Sequence, residues 1–365
     1  MFLALKEIKK EKGRFLLIIS IVVLISYLVY FLLGLAYGLA LDNTTAIYRL
    51  QAKKIILADG SNKNIQSSLI ELETLQQELK GLDYSLINLG RSSAYINGQK
   101  DDRHTISLVI IGSESNAKIA PTILEGRAVM QDNEAVASIS LKHEKDLAIG
   151  DTIKIAMNEK EFKVVGFTSE AKYNTSSVIY TDLENASAAS MIFKADDTKE
   201  PIKILKRVSA AVIHTDEPIT LTSNLEIISI QDFINSIPGY QAQILTFGLM
   251  IIFLVLISSI VLGVFLYIIT IQKKQTFGIM KVQGISSSYI SKSVLLQTLI
   301  VSVSGLFIGI SLTYITQLFL PVRVPFKIDL LFIIAITLLM IFTTILGALF
   351  SVKSVAKVDP LEVLN

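Results

Sequence analysis

The sequence predicts an α-helical membrane protein with four transmembrane helices plus a mixed α/β extracytoplasmic domain between helices 1 and 2. Three observations predict it. Charged residues make up only 18% of the 365 residues, against about 25% in an average soluble chain. The deficit is concentrated, because no charge occurs from Phe15 to Leu41, from Phe233 to Gln272, from Ser293 to Val322 or from Leu330 to Val352. Crossing ~30 Å of hydrocarbon takes roughly 20 apolar residues, and each run supplies them. Between the first two runs, Asp42 to about Gln243 has ordinary globular composition, enough for one or two compact folds.

In chain order, residues 1–14 read as an amphipathic helix, with Leu3, Ala4 and Ile8 beside basic residues, lying on the inner leaflet. Residues 15–41 form the first transmembrane helix. Ala36-Tyr37-Gly38 offers small residues for signal cleavage, but the run exceeds the ~7–15 residues of a signal core, so an uncleaved helix is expected. Residues 42–243 form the α/β domain. Within it Ser61 to Gly81 predicts a helix, since Ile65, Leu69, Leu72, Leu75 and Leu79 fall at helical spacing and Gly81 suits a left-handed cap. Strand-like runs occupy Lys54–Ala58, Thr105–Ile111, Glu134–Leu141, Thr152–Ala156, Phe162–Phe167, Ser177–Tyr180 and Ala210–His214. Ser229–Gln243 predicts a stalk broken at Pro238-Gly239.

The second transmembrane helix is predicted over 244–272, a cytoplasmic coupling loop over 273–292, the third helix over 293–320 and an outer loop over 321–329. The fourth helix covers 330–352, and 353–365 is a cytoplasmic tail. Lysine and arginine set the orientation. Lys6, Lys9, Lys10, Lys12 and Arg14 precede the first span, and Lys273, Lys274, Lys281 and Lys292 separate the second from the third with no acid among them. Both termini are therefore expected inside and the large domain outside.

Composition and motifs exclude several chemistries. A net charge of +2 leaves no electrostatic footprint for nucleic acid, and the absence of cysteine removes disulfides, thiolate metal sites and thiol nucleophiles. There is no phosphate-binding glycine loop with Lys-Ser/Thr, no zinc spacing and no GxSxG elbow. His104, His143 and His214 are dispersed through the domain and read as surface residues. The chain is thus expected to be a non-catalytic membrane component whose energy comes from a partner. Gly34-xxx-Gly38 and Gly305-xxx-Gly309, with Ser258, Ser259 and Gly263, provide small surfaces for close helix packing. The segment Gln275–Gly284 places Phe277, Gly278, Ile279, Met280, Val282 and Gly284 in a short loop helix. Its four larger apolar side chains are expected to face the cytoplasm as a docking surface for a soluble protein.

That loop resembles the corresponding segment of FtsX-like, MacB-type ABC transporter permeases. The tail Ser354-Val355-Ala356-Lys357-Val358-Asp359-Pro360-Leu361 resembles the family's terminus. So do Glu125-Gly126-Arg127, Asn133-Glu134-Ala135-Val136, Leu147-Ala148-Ile149-Gly150-Asp151-Thr152-Ile153 and Phe162-Lys163-Val164-Val165-Gly166 its outer-domain run. The matches lie in order across nearly the whole chain.

The resemblance implies a homodimer working with a dimer of separate ATPase subunits, which bind the ATP, in contact with membrane lipid. No intrinsic cofactor is implied. Within the family, Pro238-Gly239-Tyr240-Gln241-Ala242 and Leu320-Pro321-Val322-Arg323-Val324-Pro325-Phe326 are similar to the haem-efflux branch of Gram-positive bacteria, which makes haem the expected cargo. That branch implies Tyr240 and Tyr173 as ligands to haem iron, phenolate oxygen being a known axial ligand of ferric haem. From the residues alone, Tyr240 equally suits an interfacial anchor. Arg323 could pair with a haem propionate or with lipid phosphate. Two alternatives accompany this reading. The same machine could export a peptide, a lipid or another amphiphile, or the chain could be an FtsX-like mechanotransmitter controlling an external cell-wall hydrolase.

Overall fold

A computed structural model describes residues 2–114, 117–189 and 207–356. Residues 357–365 of the expected tail lie outside the described residues. The elements begin with α1 (Phe2–Lys10), α2 (Lys12–Tyr48), β1 (Lys54–Ala58), β2 (Ile70–Glu71), α3 (Leu72–Glu78), β3 (Tyr84–Ile96) and β4 (Thr105–Ser113). There follow β5 (Ile123–Gly126), β6 (Glu134–Ser138), α4 (Ile139–Lys145), β7 (Thr152–Ile155), β8 (Glu161–Thr168), β9 (Lys172–Tyr173) and β10 (Ser176–Asp182). Next come α5 (Leu183–Ala189), β11 (Arg207–Val208), β12 (Ala210–Ile213), β13 (Leu225–Ser229) and α6 (Ile230–Ser236). The chain continues through α7 (Tyr240–Gln272), α8 (Lys274–Val282), α9 (Ser287–Phe319) and α10 (Leu330–Ala356). Two compact units result, Met1–Gly38 with Gln243–Asn365, and Leu39–Ala242.

In the first unit, α2, α7, α9 and α10 are long and apolar enough to cross a membrane. Each coincides with a charge-free run. Small residues decide which helices meet. A Cβ on Gly305 or Gly309 of α9 would collide with Val22 or Ser26 of α2, and the Ser26 hydroxyl donates to the Gly305 carbonyl at 3.3 Å. Gly34 and Gly38 serve a different partner, the Pro325-Phe326 segment of the α9–α10 loop, where the Lys327 N–H donates to the Gly34 carbonyl at 3.1 Å. Gly263 of α7 faces Gly347 of α10, and the Ser259 hydroxyl donates to the Thr343 carbonyl at 2.6 Å. The Tyr30 and Thr337 hydroxyls bond at 2.7 Å between α2 and α10. One expectation is corrected. Ala4 is buried, and Ile8 packs with Phe15, Ile18, Val22 and Val301. Ala4 and Ile8 of α1 therefore face protein instead of the leaflet.

The second unit is built on an 11-stranded sheet. β3 pairs β4, β4 pairs β10, β10 pairs β6, β6 pairs β8, β8 pairs β7, and β7 returns to β3. Six strands thus close a ring, with β4–β10 and β6–β8 parallel and the other pairs antiparallel. Its interior holds Ile106, Leu108, Ile110, Phe162, Val164, Phe167 and Ile179. β12, β1 and β13 extend the sheet from the β3 side and β5 ends it at β8. A second core lies between the sheet, the end of α2 and α6, and includes Ile47, Leu50, Val109, Val178, Phe233 and Ile237.

The expected strands at 54–58, 105–111, 152–156, 162–167, 177–180 and 210–214 are present. The expected helix over 61–81 is not. Only Leu72–Glu78 is helical, because Gly60, Asn62 and Lys63 adopt positive φ and the Asn64 side chain accepts from the Gln66 N–H in a turn. Leu69, counted on the apolar face, is exposed. The expected strand 134–141 stops at Ser138, whose hydroxyl caps α4.

Candidate functional site

The outer-domain run that resembles the family is structural. Glu134 is buried at the start of β6 and grips the Arg127 guanidinium through both carboxylate oxygens. It also accepts the Met130 and Gln131 N–H groups at 3.0 and 3.1 Å. The Arg127 bonds first, and these amides with them, hold the Glu134 carboxyl down at about 2. Gly126, at φ 78°, lies against the Val165 carbonyl where no side chain fits. Asp151 accepts the Ala148 N–H at 2.8 Å and the Asn97 amide at 3.0 Å. These motif residues fix turns, and none of them forms an acid–base or nucleophile constellation. Among the described residues no cluster of His, Asp or Glu could hold a metal ion. His104 bonds Asp101 at 2.8 Å, His143 is exposed, and His214 bonds Ser85 at 3.1 Å.

Both tyrosines adjoin the same apolar core. Tyr240 is the first residue of α7, directly after the Pro238-Gly239 break, where Gly239 takes φ 81° and the Tyr240 N–H donates to the Ile237 carbonyl at 3.0 Å. It is half-buried and packs against the core beside α6. Tyr173 belongs to that same core, is 5% exposed, and lies parallel to the Phe233 ring at 6.5 Å between centroids. Burial pushes its phenol up to about 12. Tyr240 is therefore the accessible member of the pair and Tyr173 the enclosed one.

A feature that the sequence did not flag sits beside Tyr173. The Lys172 ammonium, buried, donates to Asp42 at 2.9 Å and meets Glu144 at 2.8 Å. Burial disfavours its charge, but the bonds to Asp42 and Glu144 outweigh that and raise its pKa. The Thr45 hydroxyl accepts the Lys172 N–H at 2.9 Å, and the Asn43 and Asp42 carbonyls accept the Asn174 and Thr175 N–H groups at 3.1 and 3.0 Å. Asn174 and Thr175 both have positive φ, the tight turn joining β9 to β10. Thr is β-branched and costly in that conformation, so the end of α2 holds it there. No spacing rule joins residues 42 and 172, which is why the sequence hid the contact.

The remaining expected site residues lie in the membrane unit. Arg323 is exposed in the turn where the Val324 N–H donates to the Pro321 carbonyl at 2.9 Å. The segment Gln275–Gly284 is helical over α8 and ends at Gly284 with φ 85°. Its expected outward face is corrected in part. Phe277 is 2% exposed and packs on Ile290 and Val294 of α9, with Met280 partly buried against them and Gly278 also buried. Ile279 and Val282, 53% and 52% exposed, and Gly284 form the open side. An aromatic followed by glycine, fourth in the helix, suits an internal contact as well as a docking one, and pattern alone could not separate them.

Residues 16–211 match the MacB-like periplasmic core domain and residues 248–360 the FtsX-like permease C-terminal domain. The chain belongs to the FtsX-like, MacB-type permease family. Among curated proteins, this permease is 28% identical over 365 residues to a Staphylococcus haemolyticus protein named as a candidate hemin transport system permease, HrtB. That alignment covers 100% of this chain and 99% of the relative. It is 27% identical over 372 residues to the protein of that name from Staphylococcus epidermidis strain ATCC 12228, with the same coverage. Among solved structures, the periplasmic region of MacB from Actinobacillus actinomycetemcomitans aligns with TM-score 0.35 and 15% identity, over 54% of this chain and 97% of that one. The extracellular domain of the noncanonic ABC-type transporter YknZ from Gram-positive bacteria aligns with TM-score 0.31 and 12% identity, over 45% and 84%. As an ABC permease of this family, the chain works with an ATPase partner.

Proposed function

We propose that this permease exports haem from the membrane, as the HrtB-type subunit of a haem-efflux system. The proposed assembly is a homodimer on a separate ATP-hydrolysing dimer, with both termini cytoplasmic. The observation that carries the reading is that Tyr240, at the start of α7, and Tyr173, in β9, both adjoin one apolar core, in a chain aligned end to end with HrtB relatives. Haem is flat, apolar and carries two carboxylates, so its binding calls for an apolar wall, an oxygen ligand and a cation. Tyr240 offers a half-exposed ring against that wall with its phenol oxygen available to ferric iron. Tyr173 can serve as the second ligand only after its stack on Phe233 opens. ATP binding stays with the partner.

Tyr240→Phe is the test, since it keeps the ring and deletes only the ligand atom. Purified wild-type protein should give a high-spin ferric spectrum with a phenolate charge-transfer band. The variant should lose the band, most of the bound haem and haem resistance in cells. The pH sign follows from the phenol. Ligation below pH 12 releases a proton, so affinity through Tyr173 should rise with pH, up to about tenfold per unit. An unaltered spectrum in both Tyr240→Phe and the Tyr173→Phe/Tyr240→Phe pair would place the cargo site elsewhere.

A further inference from the structure

α1 and the start of α2 sort their charges by sign. Glu7 and Glu11 both turn inward onto the Lys273 ammonium, at 3.4 and 3.5 Å, where the lysine side chain is 10% exposed. The Gln297 amide donates to Glu7, and the ammonium stands 5.8 Å from the Phe15 ring centroid. Both acids of the segment are thereby engaged inside. Lys9, Lys10, Lys12 and Arg14 are exposed, although Arg14 still reaches Glu11 at 3.3 Å. Ala4 and Ile8 of α1 are covered as well. The outward face of 9–14 is left cationic.

Position selects the partner for that face. The charge-free run of α2 begins at Phe15, so Lys12 and Arg14 stand within one helical turn of the hydrocarbon, at headgroup depth. Each basic residue near an anionic bilayer surface gains about 1 kcal/mol, fading within a Debye length. Ala4 and Ile8 are already packed against protein, so the attraction on this face is that of charge. Lys273 immediately precedes α8 as its N-cap residue. Any shift of α1 on the membrane must therefore move the start of α8 or break the Glu7–Lys273–Glu11 clasp.

We propose that the basic face of α1 binds anionic phospholipid headgroups and that the clasp on Lys273 passes their presence to α8. The second half rests on α8 being the ATPase-facing element; the first half does not.

Gly13→Cys supplies a label site in this cysteine-free chain, because a Cβ there meets nothing within 4 Å. The labelled full-length permease, in vesicles of equal parts phosphatidylglycerol and phosphatidylcholine, should be quenched severalfold more by quencher-tagged phosphatidylglycerol than by tagged phosphatidylcholine. The preference should collapse in high salt and in the Lys9→Gln/Lys10→Gln/Lys12→Gln chain. Equal quenching by the two lipids in the wild-type protein overturns the lipid site, whatever the variant does. For the second half, phosphatidylglycerol should change the permease-stimulated ATPase rate of the complex severalfold. Glu7→Gln should abolish that change while keeping the quenching preference. A lipid response that survives in Glu7→Gln removes the clasp from the proposal. An ATPase that the permease never stimulates, in either lipid, refutes α8 as the coupling element and leaves the quenching result to decide the lipid site by itself.

Discussion

Glu134 shows what a single carboxylate does for the outer domain. It is buried, takes two bonds from Arg127 and two from backbone amides, and its pKa is lowered to about 2. A depressed carboxyl contributes stability that is complete above its unfolded value near 4.5 and is lost as pH falls through the folded one. Acid unfolding of the domain should therefore steepen between about pH 4.5 and 2. Glu134→Gln, which keeps the shape, should remove that steepening and cost about 2 kcal/mol at neutral pH, the value of charge-assisted bonds, since the Arg127 end is partly solvated. Thermal melts of the two proteins across that pH range measure both effects, and parallel pH profiles would discount the ion pair. Tyr173 and Tyr240 belong to the same scale. Their residue types and flanking motifs were visible in the sequence, but only the fold shows that one ring is enclosed and the other open.

At the scale of elements, α8 separates packing from docking. Phe277 fills a contact with Ile290 and Val294, whereas Ile279 and Val282 face outward. Phe277→Ala should destabilise the α8–α9 hairpin by about 3 kcal/mol and lower the yield of folded permease. Ile279→Asp and Val282→Asp should leave folding intact and abolish copurification of the ATPase. Normal copurification with the Ile279→Asp/Val282→Asp pair would move the docking surface off α8. The four long helices were legible because a charge-free run as long as a bilayer is thick suits little but a bilayer. β3, the longest strand, was not. Its sequence carries Asn88, Gly90, Arg91, Ser92 and Ser93 in mid-run, which breaks the period of two, and only pairing with β4, β7 and β12 makes it a strand. The 61–81 segment failed in the opposite sense. Leucine spacing suggested a helix that the turn at Asn62–Asn64 forbids, since local turn chemistry outranks periodicity over so short a stretch.

For the whole molecule, orientation is the property to test. The lysine and arginine bias predicts both ends inside. Met130→Cys, at a site 75% exposed in the outer domain, should react with a membrane-impermeant maleimide on intact cells, and Gly13→Cys only after permeabilisation. The reverse pattern would invert the topology. The β9–β10 hairpin then has a mechanical meaning. α2 runs unbroken for 37 residues, from Lys12 to Tyr48, and its Asp42 and Asn43 carbonyls hold the Thr175 and Asn174 amides at 3.0 and 3.1 Å. A helix advances about 1.5 Å per residue, and a hydrogen bond stretched by that distance is gone. A slide of α2 by a single residue at this end therefore trips the turn like a detent, and Tyr173 is the side chain next to the catch.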